Sequence, residues 1–251
     1  VREYDFWLFD LDGTLVDVDG AYARRTLARV SEHLECDFTE SERTTLWHAH
    51  DSSRQVVLDR YGVSLEAFWD AFDRLDEPAK RADATFLYDD ARHVADIDVP
   101  VGLVTHCPRP VSSVVLDTLG IRDWFDTVVV CSEEMGWKPD PDPVWQAINQ
   151  LDLPTRLPQS TRDPPSQPGT QPAKQAPVGI EDGGVPIQEG ALGALSGALV
   201  GDNPVDIGAA WNAGLDAVHI ERRDPNARGS CVLGDHRINS VAALLEPVEQ
   251  R

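Results

Sequence analysis

Hydrophobic positions along the chain fall into two kinds of pattern: short continuous apolar runs, and longer stretches with helical spacing. Phe6-Trp7-Leu8-Phe9 is apolar at every position and bounded by polar residues, the signature of a strand buried on both faces. Val101-Gly102-Leu103-Val104-Thr105, Asp126 to Cys131, Ala198-Leu199-Val200 and Ala217 to Ile220 have the same character. Helical spacing separates them: from about Arg109 to Leu119, after Lys138 through Val144, Trp145 and Ile148, and from Pro204 through Ile207 to Ala213, closed by Gly214. Pro139 and Pro141 are placed to start the second of these, and Val241 to Leu245 predicts a closing helix. Strands alternating with helices predict an α/β fold, a doubly wound parallel sheet.

Two stretches depart from that rhythm. Between Val16 and about Tyr88 the pattern is helical: Ala23, Leu27, Val30 and Leu34 share one face, as do Leu65, Phe68, Trp69, Phe72 and Leu75. From Pro154 to about Ala194 the chain is dense in Pro, Gly, Gln and Ser, including Pro164-Pro165 and Gly183-Gly184. That composition buries too little apolar surface to offset ordering entropy, so residues 154–194 are expected to be a disordered insertion. It is either a protein-binding loop or a tolerated surface insertion, and we expect the latter.

The first apolar run ends in Asp10-Leu11-Asp12-Gly13-Thr14. Two carboxylates one residue apart at a strand's carboxyl end lie where open parallel sheets bind ligands. Asp10 can attack phosphorus and carry a covalent acyl-phosphate, and Asp12 can protonate the leaving oxygen and then deprotonate water. Two anions facing an anionic phosphate need a counter-charge, and hard oxygen ligands favour Mg2+. Asp202, at the end of Ala198–Val200, is a candidate direct ligand. Asp206, one helical turn on, can hold a water or orient a lysine. Lys138 supplies the cation, and Thr105 with the backbone N–H after it can hold phosphoryl oxygens.

These four segments, in this order, resemble the motifs of the haloacid-dehalogenase-like hydrolase superfamily: Asp10 to Thr14 the first, Thr105 the second, Lys138 the third, Gly201 to Asp206 the fourth. The resemblance is closest to the phosphoglycolate-phosphatase-like branch. It implies phosphoryl transfer through an aspartyl-phosphate at Asp10, with Mg2+ held by the side chains of Asp10 and Asp202 and the backbone carbonyl of Asp12. Thr14, Thr105, His106 and Lys138 are then the substrate-binding residues. It also implies a Rossmann-like core over residues 1–15 and 89–251 and a helical cap over 16–88 that closes on the site. His106 departs from the pattern, since many relatives carry Asn there, which bears on substrate orientation. Family dehalogenases lack an acid at the position of Asp12, so this chain reads as a phosphatase acting on a small phosphorylated metabolite. A phosphotransferase or mutase using the same aspartyl-phosphate, a non-catalytic binding module and, last, a dehalogenase are the alternatives.

Composition narrows the setting. The formal net charge is −21, from 43 acids against 22 bases, and the lysines are Lys80, Lys138 and Lys174 alone. Such acid-rich, lysine-poor usage is similar to that of halophilic, haloarchaeal cytoplasmic proteins. No basic stripe is available for nucleic acid, and no apolar run approaches the roughly 18 residues of a membrane span, so neither is an expected partner. Cys36, Cys107, Cys131 and Cys231 form no C-x-x-C pair and read as reduced thiols of a soluble cytoplasmic protein, Cys107 being a packed one.

Overall fold

A strand that is apolar at every position needs cover on both faces, and all four residues of Phe6–Phe9 are buried. The computed structural model describes residues 4–48, 51–153, 196–222 and 232–245, which belong to one compact unit. Its strands are β1 (Phe6–Phe9), β2 (Val16–Val18), β3 (Thr85–Leu87), β4 (Val101–Thr105), β5 (Thr127–Val130), β6 (Gly197–Gly201), β7 (Asp216–Ile220) and β8 (His236–Ile238). Its helices are α1 (Gly20–His33), α2 (Glu40–His48), α3 (Asp51–Asp59), α4 (Leu65–Leu75), α5 (Pro78–Asp83), α6 (Arg109–Leu119), α7 (Asp142–Gln150) and α8 (Pro204–Asn212).

Six strands form one parallel sheet in the order β5-β4-β1-β6-β7-β8. The fold is therefore the α/β, Rossmann-like one expected. The chain runs outward from β1 through β4 to β5, then returns to the other side of β1 for β6 to β8. This reversal puts the switch point, where such sheets bind ligands, at the carboxyl end of β1. Register is tight there: Trp7 lies opposite both Val101 and Ala198, and Phe9 opposite Leu103 and Val200. Gly197 admits this packing, because a Cβ on it would lie 2.1 Å from the Phe6 ring.

Residues 16–88 are helical in the main but begin and end as a ribbon, β2 antiparallel to β3 with Val16 opposite Leu87. Three-residue strands are too short to show a period of two, which is why the pattern read as helix throughout. Between them, α1 to α4 enclose a separate apolar cluster built on Leu27, Val30, Phe38, Leu46, Leu58 and Phe68. The last helix of the segment, α5, packs against α6 of the sheet layer. Three other differences are local. α7 starts at Asp142, not Pro139; Val241–Leu244 is a 3-10 turn; and β8, whose burial is confined mainly to Ile238, gave no apolar run to read. The 154–194 insertion lies outside the described residues. No described helix is long and apolar enough to cross a membrane.

Overpacking at the Phe6–Gly197 contact should be costly. Gly197→Ala is expected to destabilise by about 1–3 kcal/mol, read as a lower denaturant midpoint with an unchanged slope.

Candidate functional site

Asp10 is one residue past β1, yet its N–H still donates to the Val200 carbonyl at 2.9 Å. Its side chain therefore leaves the sheet edge in a fixed direction. The chain then turns sharply: Gly13 has φ +83°, and its N–H donates to the Val16 carbonyl at 2.7 Å. A side chain at Gly13 is excluded twice, by that backbone conformation and because a Cβ would lie 2.6 Å from an Asp202 carboxylate oxygen. Thr14, fully buried, ties the two strand ends together. Its Oγ1 accepts the Asp202 N–H at 3.1 Å and makes a long 3.4 Å contact to Asp10 Oδ2.

Lys138 reaches this point from the loop before α7, which is seated on α8. Asn212 donates to the Pro139 carbonyl at 2.9 Å, and a Cβ at Gly208 would lie 2.8 Å from Pro139. The ammonium donates to Asp10 Oδ1 at 2.6 Å and to the Val104 carbonyl at 2.9 Å, and pairs by charge with Asp206 Oδ1 at 2.7 Å. Asp206 is held in turn by its own helix start, where the Asn203 N–H donates to Asp206 Oδ2 at 3.0 Å in a capping box. Asp10, Asp202 and Asp206, all buried, offer carboxylate oxygens within 4.8 Å of one another.

Three buried carboxylates share one ammonium. Burial pushes Asp10 well above the usual carboxylate range, Lys138 opposes it, and Asp206 and Asp202 add to the rise. Burial works against the charge on Lys138, but Asp10 and Asp206 more than offset it and hold the ammonium above its ordinary value. With all three acids ionised this cluster is short of positive charge, and its hard oxygen donors fit a small divalent cation such as Mg2+.

The second strand end is different in character. Thr105 is buried; its hydroxyl accepts the Cys107 N–H at 3.0 Å, so its own proton is free to be directed elsewhere. His106 stacks edge-on against Trp137 at 5.3 Å, and its Nε2 is buried with no hydrogen-bond partner among the described residues. Burial, then Lys138 and Arg54, depress the imidazole to about 3, which leaves it neutral.

The structure thus brings Asp10, Lys138, Asp202 and Asp206 together, with Thr14 bonded to the cluster and Thr105 following the Val104 carbonyl that Lys138 uses. The Asp12 carboxylate faces a different set of groups. Arg81, on α5, donates to it at 2.8 Å. Arg81 also donates to Asp76 at 3.2 Å and lies 5.1 Å over the Trp47 ring. Arg222, past β7, clamps the first loop from behind, donating to the Thr14 carbonyl at 3.0 Å and to Asp90 at 2.8 Å. Neither arginine was signalled by the sequence. Each belongs to no spacing pattern and bonds a residue far away in the chain. From the same helical segment, Trp47 lies under Arg81, while Arg54 donates to the Leu46 and Trp47 carbonyls.

Residues 7–156 match the family model described as haloacid dehalogenase-like hydrolase. A phosphoglycolate phosphatase of Yersinia pseudotuberculosis is 26% identical over 162 residues, 59% of this chain and 68% of that protein. Pyrophosphatase PpaX of Oceanobacillus iheyensis is 26% identical over 162 residues, 57% of this chain and 67% of its own length. Among solved structures, a haloacid dehalogenase-like family hydrolase of Streptococcus pneumoniae superposes with a TM-score of 0.61 at 15% identity, covering 96% of this chain and 97% of that one.

The neutral imidazole gives the site a measurable pH signature. A histidine with a depressed folded value binds fewer protons folded than unfolded between its two pKa values, so stability falls as pH drops from about 6.5 towards about 3. His106→Gln removes that contribution, and its melting temperature should fall less than wild type's between pH 7.5 and pH 5. Parallel curves would show that His106 does not titrate this way.

Proposed function

Because the chain belongs to the haloacid dehalogenase-like hydrolases, we propose that it is a magnesium-dependent phosphatase that hydrolyses a small phosphorylated metabolite through an aspartyl-phosphate at Asp10. The observation that carries this reading is the 2.6 Å contact between Lys138 and Asp10 Oδ1 inside the buried acid cluster. Lys138 fixes one carboxylate oxygen and leaves Oδ2, with its long Thr14 contact, as the attacking atom. The Asp10 Oδ2–P bond forms as the P–O bond to the alcohol breaks, and Asp12 supplies the proton to the departing oxygen. Asp12 then takes a proton from the water that attacks the acyl-phosphate, returning Asp10 as carboxylate and releasing phosphate. Lys138 and the Thr105 hydroxyl bind phosphoryl oxygens, and His106, being neutral, adds a hydrogen bond without adding charge.

The side chains of Asp10 and Asp202 and the carbonyl of Asp12 would hold Mg2+, which when bound neutralises charge on the transferring phosphoryl group. Asp206, committed to Lys138 and to Asn203, orients the lysine. The phosphatase and pyrophosphatase names of the relatives support hydrolysis of a phosphate bond, and the acid at position 12 supports a reaction that needs a proton for the leaving group.

Turnover of p-nitrophenyl phosphate by the wild type should require Mg2+, stop on chelation and fall to background in Asp10→Asn. Asp12→Asn should cost about a hundred- to ten-thousand-fold on alkyl phosphates. Absence of metal-dependent turnover by folded wild-type protein would overturn the reading.

The charge of −21 supports a halophilic, cytoplasmic setting. Self-repulsion is strong in dilute buffer and largely screened at 1 M salt, where the Debye length is about 3 Å. Activity and melting temperature should therefore both rise between dilute buffer and molar KCl; full activity with unchanged melting in dilute buffer would refute a halophilic protein.

A further inference from the structure

We infer that Arg81 is a positioning residue for Asp12, so that the helical segment between β2 and β3 sets the efficiency of the proton-transfer steps; this rests on the phosphatase reading above. The guanidinium is held through its two terminal nitrogens and one face, while its Nε is buried with no hydrogen-bond partner among the described residues. Nη2 donates to Asp12 Oδ1 at 2.8 Å and Nη1 to Asp76 Oδ2 at 3.2 Å, while the face stacks over Trp47 at 5.1 Å. Asp76 is itself anchored, because the Tyr22 hydroxyl on α1 donates to its Oδ1 at 2.7 Å. The side chain of Arg81 is 9% exposed and that of Asp76 5%, whereas that of Asp12 is 35% exposed. The line Tyr22–Asp76–Arg81–Asp12 therefore runs from buried groups of three helical elements to a half-open carboxylate at the edge of the acid cluster.

That arrangement has a direction. Arg81 is immobilised by Asp76, Trp47 and burial, so in the pair it forms with Asp12 the carboxylate is the member whose position is being set. Asp12 is thus aimed by a donor from the helical segment, on which neither the nucleophile Asp10 nor its partner Lys138 draws.

A group that aims the acid matters most where the leaving oxygen cannot depart without a proton. An alkoxide needs one, whereas p-nitrophenolate is stable enough to leave as the anion. Arg81→Met should accordingly lower kcat/KM for an alkyl phosphate such as glycerol 2-phosphate by about 10–100-fold. The first-turnover burst of p-nitrophenol, which reports phosphorylation of Asp10 alone, should fall by at least tenfold less. In the Asp12→Asn background Arg81→Met should add little further loss, and Arg81→Lys should recover part of the alkyl rate. Tyr22→Phe removes a single hydroxyl at the far end of the line, and tests the idea even if Arg81→Met folds poorly: it should give a smaller loss with the same preference for alkyl substrates. Equal losses on both substrates, additive losses with Asp12→Asn, or a faster alkyl rate in Arg81→Met would each overturn the inference while leaving the phosphatase reading in place. Failure of the wild type to release p-nitrophenol in an Asp10-dependent manner would overturn both.

Discussion

A buried ammonium has to be fully paired, and the placement of Lys138 governs the rest of the site. An unpartnered charge at 2% side-chain exposure would cost several kcal/mol, and its three partners come from three separate elements: the end of β1, the carbonyl of Val104 in β4, and the first turn of α8. Pairing it therefore requires that β4 lie in register beside β1 and that α8 begin at one point along β6. Removing any of these partners would both loosen the site and strand a charge. Stability and chemistry here depend on the same contacts.

The acids converge because the backbone gives way to them. A Cβ at Gly201 would lie 2.3 Å from the Asp206 side chain, and one at Gly13 would lie 2.6 Å from the Asp202 carboxylate. Carboxylates this close repel, and burial compounds the cost. Part of that cost is offset by backbone N–H groups that have no ladder partner. The Asn203 N–H bonds Asp206 directly, and the Asp202 N–H fixes Thr14 against the cluster. What remains uncompensated is negative charge, which is what a divalent cation and an anionic substrate together would use.

Much of this was legible from sequence because it follows from one-dimensional patterns. The strand Val101–Thr105 and the helix Arg109–Leu119 have the bounds that their apolar spacing predicts. Asp10 and Asp202 stood out because each lies just past an apolar run, and Lys138 because it lies just before the prolines that mark a helix start. What stayed hidden was long-range or too short to be periodic. The β2–β3 ribbon has three residues on each side, and β8 has one well-buried side chain. Arg81 lies 69 residues from the carboxylate it binds, and the helix that carries it is six residues long. Only the packing of α5 on α6 brings the two together, and no local rule encodes that.

The division of parts has a chemical logic. Among the described residues, the groups bonded to Asp10 belong to the sheet layer or its connecting loops, so the proposed nucleophile, Lys138 and the acids proposed to hold metal are fixed relative to one another by one hydrogen-bonded sheet. The helices between β2 and β3 have their own apolar cluster and can vary in sequence without disturbing that set. Among the described residues they reach the Asp12 side through Arg81 and act on His106 through the charge of Arg54. Nucleophilic attack on phosphorus is common to every phosphate ester, whereas the need for a proton and the shape of the alcohol differ from one ester to the next. A chain that keeps the first task in the sheet and gives part of the second to an inserted layer can change substrate without rebuilding its nucleophile.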